Sequence, residues 1–247
     1  MATYVLKDAK LWISEYDLTG HLTRMEVTHG AEPVDATVFG GDTKIFKAGL
    51  ETLAFSDFGL VDMADDKQDE SIRTKLTTNV IPITIAPTDG LQNSPAIFFE
   101  GKLNAYQWGG AVGVHTPFSL SGVAGGGRKI ITNGLLLEDG VTAKTATGSG
   151  TGRQFAGGVA SGKSLFAIFH LLTFSGAASI DVLIESDDAS GFISPTTRIT
   201  FANKASISSE YVVPLAGPIT DDWLRVKFTF VTPTTPSAKI VVAVGIK

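Results

Sequence analysis

Residues 19–60 read TGHLTRMEVTHGAEPVDATVFGGDTKIFKAGLETLAFSDFGL, and the way this stretch folds decides how the rest of the chain is arranged. A turn ending in glycine, Leu18-Thr19-Gly20, opens onto extended alternation through Leu22, Arg24, Glu26 and Thr28. The next residues, His29 to Gly41, are too polar and too interrupted by Gly30, Pro33, Gly40 and Gly41 to be core. The chain returns with Lys44, Ile45, Phe46, Lys47, Ala48, Gly49 and Leu50, then a second alternating run from Glu51 to Phe55. Two strands joined by about fifteen residues outside the core do not make a tight hairpin, and long ordered loops in compact domains are usually functional or bound to something. No catalytic residue set accompanies this one. Its expected partner is therefore another protein surface.

Composition narrows the class. A chain of 247 residues can bury one large core or two small ones. With 27 glycines, few charges and many Val, Ile, Thr and Phe, it reads as a mainly β protein rich in turns. There is no cysteine, which removes disulfide scaffolds, thiolate metal sites and cysteine nucleophiles together. No run approaches the roughly 18–20 apolar residues of a membrane span, and MATYVLKDAK lacks the pattern of a secretory signal. Residues 1–139 carry 11 Lys+Arg against 18 Asp+Glu, a net of −7, and residues 140–247 carry 9 against 7, a net of +2. Neither part offers a basic patch for gripping duplex DNA.

In order and pattern, LTGHLTRMEVT, the acidic bend, VDATVFGGDTKIFKAGLETLAFS and the acidic stretch after it resemble the tail tube (major tail) proteins of long-tailed bacteriophages. The matching residues are Val34, Asp35, Ala36, Thr37, Val38, Phe39 and Gly40, a D-x-T-x-[FY]-G stretch, with Ala48, Gly49 and Leu50 as a following turn. His115 to Gly122 matches the closing F-S-x-S-G strand, and the resemblance covers residues 3–135. It implies a long arm packed against neighbouring subunits, carried here by Glu32, Val34, Asp35, Thr37, Phe39, Lys44, Phe46 and Leu50. The partners it implies are further copies of the chain in stacked rings (hexamers, or trimers of two-domain subunits), other tail proteins at the tube ends, and genomic DNA passing through without specific binding. It implies no enzyme activity, cofactor or membrane. The implied location is the virion tail, with assembly in the host bacterial cytoplasm.

Along the chain, a first strand lies within residues 3–16, with Tyr4, Leu6, Leu11 and Ile13 inward around Trp12. The one persuasive helix is DMADDKQDESIRTKLT, residues 62–77, capped by Asp62 or Asp65 and acidic at its start, with Arg73 and Lys75 at its end. Asp69 and Arg73 are spaced to pair, and only Ile72 and Leu76 form an apolar stripe, so this helix lies on a surface. Strands follow at 79–85, 96–101, 103–108 and 115–122. Residues 138–153 lack large apolar side chains except Val141 and read as a flexible linker. Beyond it, strands are expected at 165–174, 179–185, 197–201, 210–213, 223–230 and 239–246.

The expected architecture is thus mainly β. Residues 1–137 form a tail-tube β-sandwich or barrel with one α-helix and the arm, and residues 154–247 form a jelly-roll or Ig-like sandwich. Segments 83–101 and 182–201 echo each other, with Pro95 and Pro195 in register, either as shared hairpin grammar or as a duplicated tube domain.

Several patterns could carry chemistry. Gly157-Gly158-Val159-Ala160-Ser161-Gly162-Lys163-Ser164 matches the phosphate-binding G-x-x-x-x-G-K-[ST], but a Gly/Ser-rich stretch precedes it where that loop requires a buried strand. The histidines His21, His29, His115 and His170 show no metal-ligand spacing, and His170 lies in an apolar run, as a core histidine would. Asp187-Asp188 and Asp221-Asp222 could hold calcium in a loop, without EF-hand spacing to support it. No nucleophile-elbow motif is present. An alternative from another class is a two-domain carbohydrate-binding or adhesive virion module, for which Trp223 and Tyr211 would be the exposed aromatics. In the tube reading, Glu26 and Glu51 are expected to face the channel.

Overall fold

A computed structural model of the chain describes residues 9–38, 43–63, 68–78, 80–111 and 113–247. In chain order come β1 (Lys10–Ile13), β2 (Tyr16–Asp17), a 3-10 turn (Thr19–His21), β3 (Leu22–Asp35), β4 (Phe46–Leu60), α1 (Gln68–Leu76), β5 (Ile81–Ala86), β6 (Pro95–Trp108) and β7 (Pro117–Ala124). There follow β8 (Ile131–Asp139), β9 (Gly148–Ser149), β10 (Arg153–Gln154), β11 (Ser164–Ser175), β12 (Ser179–Asp187) and β13 (Thr196–Thr200). The last elements are β14 (Ser208–Tyr211), β15 (Leu215–Ala216), β16 (Trp223–Val231) and β17 (Ser237–Ile246). The fold is mainly β, and every strand pair with an assigned register is antiparallel.

By contacts the chain divides into two units. The first comprises the described residues of Met1–Gly20, Ile81–Glu100 and Ile131–Lys247; the second comprises those of His21–Val80 and Gly101–Ile130. The boundary expected near residue 137 is not where contacts divide the chain, because β1, β5 and the first part of β6 belong with the C-terminal strands.

In the first unit one sheet runs β14-β11-β17-β8-β6-β5-β1-β2, and a second runs β10-β16-β12-β13 with β9 also on β16. Alternation along β11 explains how the two are joined. Leu165, Ala167, Phe169 and Leu171 enter a core with Ile180, Val182 and Ile184 of β12 and Leu224, Val226 and Phe228 of β16. The intervening Phe166 and Ile168 enter a separate core with Trp12, Phe98, Tyr211 and Val241. A strand buried on both faces reads as continuously apolar, as LFAIFHLL does. The first sheet curls so far that β11 faces β5 and β1. His170, fully buried, donates from Nδ1 to the Ser14 carbonyl at 2.5 Å and accepts at Nε2 from the Thr84 hydroxyl at 2.7 Å.

Where a linker is expected over 138–153, the chain is paired. Lys144 bridges to Ala238, β9 and β10 pair with β16, and buried Glu138 meets Lys144 at 2.7 Å. Small residues are what this packing requires: a Cβ on Gly150 would collide with the Glu138 carboxylate. The two echoing segments are hairpin loops with the same device. Asp89 accepts from the Leu91 amide at 3.1 Å and Asp187 from the Ala189 amide at 3.0 Å, each ahead of a Ser-Pro pair.

In the second unit β4 lies between β3 and β7, and β7 pairs on with β6. The helix occupies Gln68–Leu76, a shorter span than expected; Asp65 lies outside the described residues. Asp69 bonds Arg73 at 2.9 Å, and the Tyr106 hydroxyl donates to Asp69 at 2.8 Å, which seats α1 against the sheet. Tyr4, Leu6 and Asn79 also fall outside the described residues.

Candidate functional site

The base of the second unit's sheet is an ordinary one-sided sheet. Residues Leu53, Phe55, Asp57 and Gly59 of β4 are buried, while Ala54 and Phe58 are exposed. On β7, Phe118, Leu120 and Gly122 point inward and Ser119 and Ser121 outward, which gives the F-S-x-S-G pattern its physical meaning. Gly122 is opposite Phe55 across the strands, and a Cβ there would lie 2.5 Å from the Phe55 ring.

Beyond that base, β3 and β4 continue as a ribbon whose described residues are exposed or half-buried on both faces. Pairing runs in register from Arg24↔Phe58 to Ala31↔Glu51, shifts by one residue, and resumes from Pro33↔Ala48 to Asp35↔Phe46. β7 leaves β4 at Ala54, and the last buried residue is Leu53, opposite His29. From there to Asp35 the ribbon extends about 20 Å at the usual strand rise. The expected fifteen-residue loop is therefore mostly a hairpin. Polar side chains did not prevent pairing, because the backbone groups of the two strands satisfy each other whatever the side chains do.

Two sequence features acquire mechanical roles here. Ala48-Gly49-Leu50 is not a turn; it lies inside β4 at the register shift, where β4 holds one extra residue. A Cβ on Gly49 would sit 2.6 Å from the Glu32 carbonyl oxygen, so the crossing requires glycine. The D-x-T pattern closes the ribbon beyond its last strand pair. Asp35 Oδ1 accepts from the Thr37 amide at 2.9 Å and from its hydroxyl at 2.5 Å, and Thr37 Oγ1 accepts from the Ile45 amide at 3.0 Å. The Ala36 amide donates to the Ile45 carbonyl at 2.8 Å. The Thr37 hydroxyl and amide hold the Asp35 carboxyl below its ordinary range.

Of the residues expected on an arm, Glu32, Val34, Asp35, Thr37, Lys44, Phe46 and Leu50 are brought together on this ribbon and its end, all exposed; Phe39 lies outside the described residues. Val34 is 51% exposed, Phe46 57% and Leu50 81%. Glu26 and Glu51 are not brought together. Glu26 is opposite Ser56 on the open face and ion-paired with Arg24, whereas Glu51 follows the phase of buried Leu53 and Phe55. The period of two puts them on opposite faces. The open face carries the hydroxyls of Thr28, Thr52, Ser56, Ser119 and Ser121 beside that ion pair, together with Ala54, Phe58, Val123, Lys102 and Gln107.

Asp57 escaped the sequence reading, although an acid in phase with Leu53 and Phe55 was a usable signal. It is fully buried, neither carboxylate oxygen has a hydrogen-bond partner, and burial pushes its carboxyl up to about 7. It stands in a row with Met25, Leu120 and Tyr106 across four strands.

The chemistry-bearing patterns resolve otherwise. In the G-x-x-x-x-G-K-S octet the amides of Gly158, Val159, Lys163 and Ser164 already donate to carbonyls of Phe155, Ile219, Ala160 and Lys247, and a strand follows rather than a helix. No amide cradle for phosphate is left among them. His170 is held neutral by burial, its pKa lowered to about 4. Among the described residues no group of three or more His, Cys, Asp or Glu could hold a metal ion. Tyr211 is buried against Phe98 at 5.6 Å between ring centroids, so it offers no sugar platform, and Trp223 is half-buried. Among the described residues no helix is long and apolar enough to cross a membrane.

The chain matches no known protein family, and no curated protein matches it. Among solved structures it is similar to a chain of the virion of a native gene transfer agent particle, with 17% identity over 52% of this chain and 97% of that one and a TM-score of 0.43. The Dit protein of phage SPP1, described as a hub adsorption apparatus of phages infecting Gram-positive bacteria, is 12% identical over 98% of this chain and 100% of its own, with a TM-score of 0.37. The SPP1 tail tube protein is 12% identical over 50% of this chain and 77% of its own, with a TM-score of 0.40. Likenesses at these scores assign no role to the chain.

Proposed function

We propose that the chain is a structural subunit of a phage-type tail tube: copies close into rings, the rings stack, and the bore conducts DNA. The observation that carries this is the ribbon of β3 and β4. A two-stranded ribbon with no buried face is marginal in water, so a chain that builds one about 20 Å long and closes it with Asp35 and Thr37 needs a surface to lay it on. Apolar Val34, Phe46 and Leu50 on an otherwise polar ribbon are suited to such a contact. Among the described residues β3 pairs with β4 alone, so its other edge presents fourteen residues to a neighbouring strand, and joining edges around a ring would remove that hazard. The partners are then copies of the chain, other tail proteins at the tube ends and DNA in transit, in the virion tail. The chain acts by assembly, not catalysis.

The open face of the same sheet suits a bore. It carries the hydroxyls of Thr28, Thr52, Ser56, Ser119 and Ser121, its Arg24–Glu26 pair cancels, and Lys102 adds a single cation, so DNA phosphates meet no basic stripe to hold them. This replaces an acidic lining. The second unit carries 9 Lys+Arg and 11 Asp+Glu, a net of −2, not the −7 of residues 1–139.

The test is to shorten the ribbon where its register allows. Ala31 and Glu51 are cross-strand partners, so joining them through Asn-Gly gives a two-residue turn. The shortened chain should remain folded and monomeric where the full chain forms rings or tubes in electron micrographs. Tubes from the shortened chain would overturn the proposal.

A further inference from the structure

The covered face of the second unit's sheet holds a polar group where the strand phase calls for an apolar one. Asp57 of β4 falls between buried Phe55 and Gly59, in one cross-strand row with Met25, Leu120 and Tyr106. Among the described residues neither of its buried carboxylate oxygens has a hydrogen-bond partner. A carboxylate deprived of both water and donors is costly, so this site tolerates the neutral acid far better than the ion.

The element over that row is α1. Tyr106 stands on the covered face with its ring 5.9 Å from that of Phe118, and its hydroxyl donates to Asp69 of α1 at 2.8 Å. Next to Asp69, Gln68 is 3% exposed, and its Nε2 is a second buried polar group without a partner. The helix is a thin cover. Nine residues are too few to hold a helix alone in water, and the residues it buries are Gln68, Ser71 and Ile72, one of them apolar. Arg73 adds a contact over the exposed Trp108 ring at 5.7 Å. The sheet below is far better tied, since β4 is laddered to β3 on one side and β7 on the other. Lifting α1 and leaving the sheet intact is therefore the least costly way to bring water to Asp57.

We propose that α1 is a lid over Asp57, seated while Asp57 carries its proton and lifted when the proton leaves. The device lies within one chain and does not require the tube. Among the described residues, the other titratable groups in phase on the covered strands are His29 of β3 and Glu51 of β4, both further out on the ribbon and exposed, and Tyr106 of β6. Tyr106 keeps its proton, because burial and its bond to Asp69 raise its pKa. β7 brings Phe118, Leu120 and Gly122 to that face, and no charge. α1 carries Asp69 and Arg73, bonded to each other at 2.9 Å, with Glu70 and Lys75. Burial alone sets the Asp57 pKa at about 7 with the lid seated; lifted, the carboxyl returns to its ordinary 3.8. The open state thus binds fewer protons between these values. The opening equilibrium rises about tenfold per pH unit from about 4 to about 7 and is level above.

The test is native-state hydrogen exchange on the dilute full-length chain from pH 4.5 to 7.5, corrected for the intrinsic rate at each pH. The amides of residues 72–76 should open at lower free energy than those of Phe55 and Leu120 and with little dependence on denaturant. Their opening should rise about 100-fold between pH 5 and pH 7. Asp57→Asn should flatten that profile. Tyr106→Phe, which removes the bond to Asp69, should raise opening about tenfold at every pH and leave the slope unchanged. A flat profile for the α1 amides of the unaltered chain, which needs no variant to fold, would sink the lid. So would α1 opening only together with β4 and β7, or a slope that survives Asp57→Asn.

Discussion

The two contact units spend the same kind of strand in opposite ways. In the first, β11 and β17 are covered on both faces, and their alternating side chains enter separate cores. In the second, the sheet has one covered face at its base, and the outer half of the β3–β4 ribbon has none. The outer ribbon is exposed on both faces among the described residues, and in the proposed tube a neighbouring copy would cover it.

Substitutions should divide along this line. Phe169→Ala, in the doubly covered sheet with its ring 5.2 Å from that of Phe201, should lower thermal stability by about 3–5 kcal/mol. Phe46→Ala should change the monomer's stability by less than about 0.5 kcal/mol, since Phe46 is 57% exposed. A comparable loss from both would erase the distinction.

The units should also answer pH with opposite signs. Asp57 has a folded pKa of about 7 against an ordinary 3.8, so the folded second unit holds a proton that the unfolded chain gives up. Its stability falls as pH rises from about 4 to about 7, by at most ~4 kcal/mol. His170 in the first unit is depressed to about 4 from 6.5, so stability there is lost as pH falls from about 6.5 to about 4, by at most ~3 kcal/mol. Unit-resolved hydrogen exchange at pH 4.5 and 7.5 should show the second unit tighter in acid and the first tighter at neutrality. Asp57→Asn should abolish the second unit's response and leave the first unit's intact.

A smaller and local effect is expected at the register shift. Gly49→Ala forces a Cβ against the Glu32 carbonyl and should loosen the ribbon by about 1–3 kcal/mol, seen as faster exchange at the Ala36 and Ile45 amides without a change in the main melting transition.

Much of this was legible in residue order. The six C-terminal strands and the helix followed from alternation and capping acids. Three things were not. A run of small residues, 138–153, reads as linker because sequence shows missing bulk but not the Glu138 carboxylate that needs Gly150 beside it. The ribbon reads as loop because backbone pairing leaves no trace in side-chain polarity. Glu26 and Glu51 read as one surface because strand phase cannot be carried across a long connection until the cross-strand register is known; Ser56, not Glu51, is opposite Glu26.

In the proposed tube the outer ribbon is held by another copy. Hydrogen exchange of the amides from Gly30 to Asp35 and from Phe46 to Leu50, followed from dilute monomer to concentrated assembly, should then be fast in the monomer and strongly slowed on assembly, with the amides of β11 and β17 protected throughout. Equal protection of the ribbon in both states would rule that contact out.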